Sequence, residues 1–162
     1  MPKRFPKGSN AEAKIETHLA SNLHKIEPDL RLVRRQFEQR NLGGKVGVID
    51  LMCQGADGAA VVVELKAEDL GSRDIGQALA YHRLMQVRAE RYGLPEPRTY
   101  CIGPSILPAA KLMLDLLHEA GVKGFSVKLL SIPAGATLQS EELTVDVHDY
   151  DPDLGGTLTV KL

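Results

Sequence analysis

Residues 47–66 read GVIDLMCQGADGAAVVVELK, and three charged residues in this stretch decide how the chain folds locally. Asp50 interrupts one apolar run, while Glu64 and Lys66 end the next one. The segment between the runs, residues 54–58, is rich in Gly and Asp and predicts the turn of a β-hairpin. Charges inside apolar strands are costly unless they are paired or bind a charged ligand. The stretch therefore predicts a hairpin that carries a charged site.

The register of this hairpin follows from its turn. If the turn centres on Asp57, Asp50 faces Glu64 directly, with Cβ atoms about 4.5–5.5 Å apart. Lys66 is two residues further on and shares the face of Glu64. Opposed carboxylates repel, and a hard divalent cation with oxygen ligands, such as Mg²⁺ or Mn²⁺, would remove that repulsion. The alternative is an exposed Glu–Lys pair with Asp50 facing water, but the run 61–65 is typical of a buried strand.

The rest of the chain predicts an α/β protein. Ser9 and Glu12 have the spacing of a capping box, which starts a helix that continues to about His24. Alternating runs at 143–148 and 157–162 predict a C-terminal β-hairpin. The order α-β-β-β-α-β-α-β implies a mixed central β-sheet flanked by helices. The remaining elements are predicted as strands at 30–37, 45–53, 59–66, 98–103 and 124–130, and helices at 73–91 and 108–120.

The predicted organisation is one main domain with two short flanking parts. Residues 1–8 form a flexible basic N-terminus, residues 9–132 form the main domain, and residues 133–162 form a C-terminal β-hairpin extension packed on it. Of the 20 Lys and Arg residues, 16 lie in the first 100 positions, although the net charge is only -1. The basic groups therefore accompany the charged hairpin.

The composition bounds the compartment and the class of protein. Cys53 and Cys101 form no CxxC motif, so they are expected to be buried thiols in a reducing compartment and not zinc ligands. The basic N-terminus is followed by no apolar stretch, and no run reaches the length of a membrane span. We expect a soluble, cytoplasmic protein with no membrane association.

A second motif follows on the helix predicted at 73–91. Gln77 and Tyr81 are four residues apart and share one helical face. Asp50, 13 intervening residues, Glu64-Leu65-Lys66 and then Gln77-x-x-x-Tyr81 resemble the PD-(D/E)xK nuclease superfamily, and the QxxxY helix is similar to its RecB-type branch. The nearest likeness is to the catalytic domain of NucS-type DNA endonucleases. It covers roughly residues 10–130. Further counterparts are Ile15-Glu16, Arg34-Arg35-Gln36 and Gly103-Pro104-Ser105-Ile106, whereas the Pro of the superfamily name is absent before Asp50.

The resemblance implies a restriction-endonuclease-like fold and a metal-dependent DNA endonuclease that uses Mg²⁺, with Mn²⁺ able to substitute. Asp50, Glu64 and the Leu65 carbonyl would ligate the metal, and Glu16 would complete the cluster directly or through water. Glu12, one turn earlier, is the rival of Glu16. Lys66 would position or activate the attacking water and stabilise negative charge. Gln77 and Tyr81 would orient Lys66 or the scissile phosphate.

The resemblance also implies partners. The residues expected to contact DNA are Arg34, Arg35, Lys45, Arg73 and Tyr81. NucS-type enzymes carry a separate N-terminal DNA-binding and dimerisation domain, so we expect this domain to act as a homodimer or with a partner protein. Its activity would be structure-specific cleavage in repair, restriction or a phage-related process. The alternative is a catalytically silent nucleic-acid-binding or assembly module of the same fold.

Overall fold

The computed structural model describes residues 10–41, 44–133 and 143–152. Within these ranges, six strands form a single sheet in the order β1-β2-β3-β4-β5-β6. The elements in chain order are helix α1 (Ala11–Ala20), a short 3-10 helix (Leu23–Lys25), β1 (Arg31–Asn41), β2 (Gly44–Gln54), β3 (Ala60–Leu65), α2 (Ser72–Tyr92), β4 (Arg98–Gly103), α3 (Pro108–Glu119), β5 (Phe125–Ser131) and β6 (Asp146–Asp149).

The sheet is mixed, as the sequence predicts. Strands β1, β2 and β3 pair antiparallel, β3, β4 and β5 pair parallel, and β6 closes the order antiparallel to β5. Helices α2 and α3 make the two crossovers that parallel neighbours require. Helix α1 packs on one face of the sheet, and α2 and α3 pack on the other. The predicted α/β class with a mixed central sheet and flanking helices is confirmed.

Two predicted elements differ at their ends. The first helix ends at Ala20 and not near His24, because the Asn22 side chain donates a 2.8 Å hydrogen bond to the His18 carbonyl and closes the helix there. Its N-cap is Asn10, which makes no capping hydrogen bond, while the predicted cap Ser9 lies outside the described residues. The first run of the predicted C-terminal hairpin forms β6, and the second run lies outside the described residues, as does the N-terminus 1–8.

Helix α2 is fastened to the sheet by a buried histidine. The fully buried His82 bonds the Thr99 hydroxyl through Nδ1 at 2.8 Å and donates from Nε2 to the Lys123 carbonyl at 2.9 Å. Burial lowers the pKa of His82, so the ring is neutral and Nδ1 accepts from the hydroxyl. This contact fixes the position from which α2 presents its polar residues. No helix within the described ranges is both long and apolar enough to cross a membrane.

Candidate active site

The β2–β3 hairpin has the register that its turn predicts. Leu51 pairs with Val63, and Gln54 pairs with Ala60. Asp50, the residue before Leu51, lies beside Glu64. Here hydrogen bonds between backbone N–H groups and carboxylates take the place of the backbone–backbone bonds of the ladder. The Asp50 N–H donates to Glu64 Oε1 at 3.1 Å, and the Leu65 N–H donates to Asp50 Oδ2 at 2.8 Å. These bonds fix both carboxylates, hereafter the carboxylate pair, at the end of β3.

The carboxylate pair is held where charge is poorly solvated. Glu64 is only 3% exposed and Asp50 is half-buried. Burial raises the pKa of both carboxyl groups, and the charge of Asp50 raises the pKa of Glu64 further. Two like charges in a dry setting destabilise each other unless a cation joins them. The sequence prediction that these two carboxylates converge is therefore matched by the geometry.

Lys66 supplies one positive charge beside the carboxylate pair. Its backbone N–H donates to the Ile102 carbonyl of β4 at 2.9 Å, and its Nζ lies 3.8 Å from Glu12 Oε1. Partial burial lowers the pKa of Lys66, but four surrounding carboxylates, Glu12 foremost, outweigh that effect and raise it above its usual value. Lys66 is therefore a cation at neutral pH.

Glu12 and Glu16 have different contacts. Glu16 is 7% exposed and accepts hydrogen bonds from Arg35 Nε at 3.0 Å and from Gln36 Nε2 at 2.7 Å. The same Gln36 amide reaches Asp50 Oδ1 at 3.3 Å. Glu16 is therefore linked to the carboxylate pair through the Gln36 amide, whereas the half-exposed Glu12 is linked to it through Lys66.

The oxygen donors Asp50 and Glu64 fit a hard divalent cation, although they are only two side chains. Among the described residues, no three His, Cys, Asp or Glu side chains lie close enough together to hold a metal ion. Mg²⁺ is commonly bound through one or two carboxylates, with water and substrate phosphate completing its shell. The buried, mutually repelling carboxylate pair provides such a set. Leu65, whose carbonyl is the further expected ligand, follows Glu64 in the chain. Asp50 and Glu64 would hold the ion, and Glu16 stands behind them.

The Gln77 and Tyr81 motif acts as an anchor in this structure. Tyr81 is completely buried; its hydroxyl donates to the Val48 carbonyl at 3.2 Å and accepts from Gln77 Nε2 at 3.1 Å. Its ring packs in a cluster on the α2 side of the sheet, hereafter the α2-side cluster: Ile49, Met52, Val62, Tyr81 and Met85. The expectation that Tyr81 contacts nucleic acid is therefore not supported, because burial leaves it no open surface. Tyr81 instead ties β2 to α2 two residues before Asp50.

Gly47→Ala tests how closely the Tyr81 hydroxyl packs against strand β2. A Cβ at Gly47 would lie 2.1 Å from the Tyr81 hydroxyl oxygen and 3.0 Å from its Cζ, so the ring must move. We expect a loss of about 1–3 kcal/mol in the free energy of unfolding, measured by urea denaturation. Tyr81→Phe removes the nearest atom, so the loss from Gly47→Ala should be smaller in a Tyr81→Phe background. Equal losses in both backgrounds would contradict the proposed contact.

The predicted basic contacts divide into bound and open groups. Arg35 is engaged by Glu16 and also donates to Thr17 Oγ1 at 3.1 Å, which fixes it against α1. Arg34 is exposed and lies over the Phe37 ring, 5.8 Å from the centroid. Arg73 is exposed in the first turn of α2. The side chain of Lys45, also expected at DNA, lies outside the described residues. Arg34 and Arg73 are therefore more accessible to a ligand than Arg35, whose guanidinium is bonded to α1.

Sequence reasoning overlooked Gln36 as a site residue. The Arg-Arg-Gln motif marked its position, but nothing in the motif assigned it a role. Its φ of 49° is in the left-handed region, which residues other than Gly rarely adopt. That conformation could not be inferred from a residue type that tolerates ordinary strands.

Comparisons with solved structures place this fold in a known class. The chain is similar to a repair endonuclease from Pyrococcus abyssi, with a TM-score of 0.57 and 24% identity, covering 81% of this chain and 50% of that one. It is also similar to EndoMS in a complex with double-stranded DNA, with a TM-score of 0.54 and 26% identity, covering 77% of this chain and 46% of that one. The mixed sheet with its flanking helices is a restriction-endonuclease-like fold.

Sequence comparisons narrow the class. Endonuclease NucS of Frankia alni is 34% identical over 103 residues, and Endonuclease NucS of a Parafrankia species is 33% identical over 103 residues. Each match covers 63% of this chain and 43% of the relative, so the chain spans less than half the length of these relatives. No family model matches the chain. Over the matched part, the chain is similar to NucS endonucleases.

Proposed function

We propose that this domain is a Mg²⁺-dependent DNA endonuclease that hydrolyses phosphodiester bonds. The observation that carries the proposal is the carboxylate pair, fixed by reciprocal backbone bonds at the end of β3 with the Lys66 cation beside it. The names of the NucS relatives and the DNA complex of EndoMS support DNA as the substrate. Structure-specific cleavage in repair is the role that best fits these similarities.

The chain's own groups match the needs of phosphodiester hydrolysis. A bound Mg²⁺, which Mn²⁺ can replace, would supply an acidified water and neutralise phosphate charge. Asp50 and Glu64 would provide the oxygen ligands for it, and the Leu65 carbonyl would be the third protein ligand. Lys66 stays protonated, so it donates hydrogen bonds to the attacking water or to a phosphate oxygen. Glu12 holds the Lys66 side chain, and Gln77 with Tyr81 holds β2.

DNA binding requires more than this domain's own open cations. Arg34 and Arg73 are exposed and suited to phosphate contact, and Lys45 is a further candidate. A few such contacts give weak binding at physiological salt. The relatives carry more than half of their length outside the matched part. We therefore propose that the domain acts in the cytoplasm as a homodimer or with a partner protein that helps to hold the DNA.

One observation favours a second candidate, a nucleic-acid-binding module that does not cut. Across the described residues, no three His, Cys, Asp or Glu side chains lie close enough together to hold a metal ion. Against it, the buried carboxylate pair opposes folding, a cost in stability that a binding module would not need.

The two candidates separate in one experiment. The protein is incubated with duplex, single-stranded, flap, mismatched and supercoiled DNA in Mg²⁺, Mn²⁺ or EDTA, and binding is followed in Ca²⁺ by mobility shift. We expect cleavage in Mg²⁺ and Mn²⁺, no cleavage in EDTA, and a preference for one of the branched or mismatched DNAs. DNA binding without cleavage in any metal would favour the silent module.

A further inference from the structure

Strand β2 changes face at Asp50, the residue that the proposed function, on which this inference rests, places at the metal. Residues two apart in a regular strand share a face. Leu51 packs with Ile15 and Leu19 of α1, and the residues after it alternate regularly between the two faces of the sheet. Ile49, two residues earlier, packs instead in the α2-side cluster with Tyr81. The strand therefore switches faces across Asp50.

Strand β1 makes the same switch at the same level. Arg35 pairs with Leu51 and bonds Glu16 on the α1 side, whereas Phe37 pairs with Ile49 and packs against the α2-side cluster. No register shift separates these two pairs. Gln36 and Asp50 therefore lie opposite each other at the point where both strands turn over.

The backbone of Gln36 accounts for the switch. Its φ of 49° is in the left-handed region, and among the described residues only Asp29 shares a positive φ without being Gly. A Gln in this conformation is strained, and such strain persists where the surroundings enforce it and often serves a function. Gly would adopt the same backbone at no steric cost. The presence of a side chain here therefore needs an explanation.

The side chain of Gln36 provides one. Its amide nitrogen donates to Glu16 Oε2 at 2.7 Å and reaches Asp50 Oδ1 at 3.3 Å. The other Asp50 oxygen accepts from the Leu65 N–H at 2.8 Å. Both oxygens of the carboxylate thus have one fixed donor, which restricts its rotation. An amide is suited to this place because it donates to two carboxylates without adding charge.

We propose that Gln36 is a positioning residue for Asp50: its left-handed backbone and bridging amide aim the Asp50 carboxylate and join it to Glu16. Partners behind a metal ligand commonly change metal affinity or activity by about 10–100-fold when they are removed. A purely structural role would instead require the backbone turn and be indifferent to the amide. The two roles therefore make opposite predictions for Gly at this position.

The test compares Gln36→Ala, Gln36→Gly and, as a matched control on the same strand, Glu38→Ala. Glu38 is exposed and pairs with Arg40, away from the carboxylate pair. Mg²⁺ affinity is measured by calorimetry on the full chain, stability by thermal unfolding in EDTA, and DNA cleavage as a function of Mg²⁺. We expect Gln36→Gly to have a Tm above that of Gln36→Ala, because the strain is relieved. Both should nevertheless bind Mg²⁺ at least about 10-fold more weakly than wild type. Glu38→Ala should match wild type.

Saturating Mg²⁺ should restore most of the cleavage rate of both Gln36 variants, since Asp50 is still present. Wild-type Mg²⁺ affinity in Gln36→Gly would overturn the proposal, and Gln36→Gly remains informative if Gln36→Ala fails to fold. A wild-type protein that binds no Mg²⁺ and cuts no DNA would overturn the proposed function, and this role with it. Metal-dependent cleavage unaltered by the Gln36 variants would overturn this role alone.

Discussion

Lys66→Ala is expected to reduce DNA cleavage by at least about 100-fold while leaving the protein folded and able to bind Mg²⁺. Lys66 interacts electrostatically with both carboxylates of the pair, and surrounding carboxylates raise its pKa, so it is charged at the pH of the reaction. It follows β3 and contributes no oxygen to the metal. Its loss should therefore lower the rate of the chemical step more than the affinity for the ion.

The measurement is single-turnover cleavage of the preferred DNA at saturating Mg²⁺, with calorimetry for the ion and thermal unfolding for stability. In EDTA the variant should unfold at a slightly lower temperature, because the carboxylate pair has lost a compensating charge. Lys111→Ala, on α3 away from the site, is the matched control and should cut like wild type. A Lys66→Ala protein that is folded and cuts within a few-fold of wild type would remove Lys66 from the chemistry.

The charged hairpin could be predicted because its determinants are local. A short Gly-rich turn fixes the register of two strands, so placing Asp57 at the turn was enough to bring Asp50 opposite Glu64. Strand β4 also has its predicted ends, after the Pro-containing segment 94–97 and at Gly103. Elements whose ends are set by neighbouring residues were within reach of the sequence.

The environment of the carboxylate pair could not be predicted because it depends on contacts made after folding. Whether Arg35 is open to DNA depends on Glu16, which lies 19 positions away on another element. Whether Tyr81 is exposed depends on Gly47, whose missing side chain makes room for the hydroxyl. Gln36 has a left-handed backbone within a strand, and no propensity of Gln indicates it. The residue types therefore indicated the chemistry of the site. They did not indicate which side chains would be occupied by tertiary contacts.

Glu64→Gln is expected to abolish cleavage and, in the absence of metal, to make the protein more stable than wild type. Glu64 is 3% exposed, and both its burial and the charge of Asp50 raise its pKa. A carboxylate forced to ionise in such a place opposes folding. Gln keeps an oxygen that can accept from the Asp50 N–H while removing the charge. The gain in the free energy of unfolding should be on the order of 1 kcal/mol or more at pH 8.

The pH dependence of this gain has a definite sign. A carboxyl group whose pKa is higher in the folded state binds more protons when folded, so wild-type stability falls as the pH rises above the ordinary carboxyl range. Below that range wild-type Glu64 is neutral in both states and resembles Gln. The advantage of Glu64→Gln should therefore be small near pH 4 and grow towards pH 8. Urea denaturation in EDTA at several pH values measures it.

Adding Mg²⁺ should reverse the order of stability. An ion that binds only the folded state adds about 2.7 kcal/mol at a concentration 100 times its Kd, and only wild type retains both carboxylates to receive it. Glu38→Gln, at an exposed position on β1, is the matched control and should follow wild type at every pH and Mg²⁺ concentration. If Glu64→Gln is less stable than wild type in EDTA, the carboxylate pair does not oppose folding, and its geometry gives no reason to infer a bound cation.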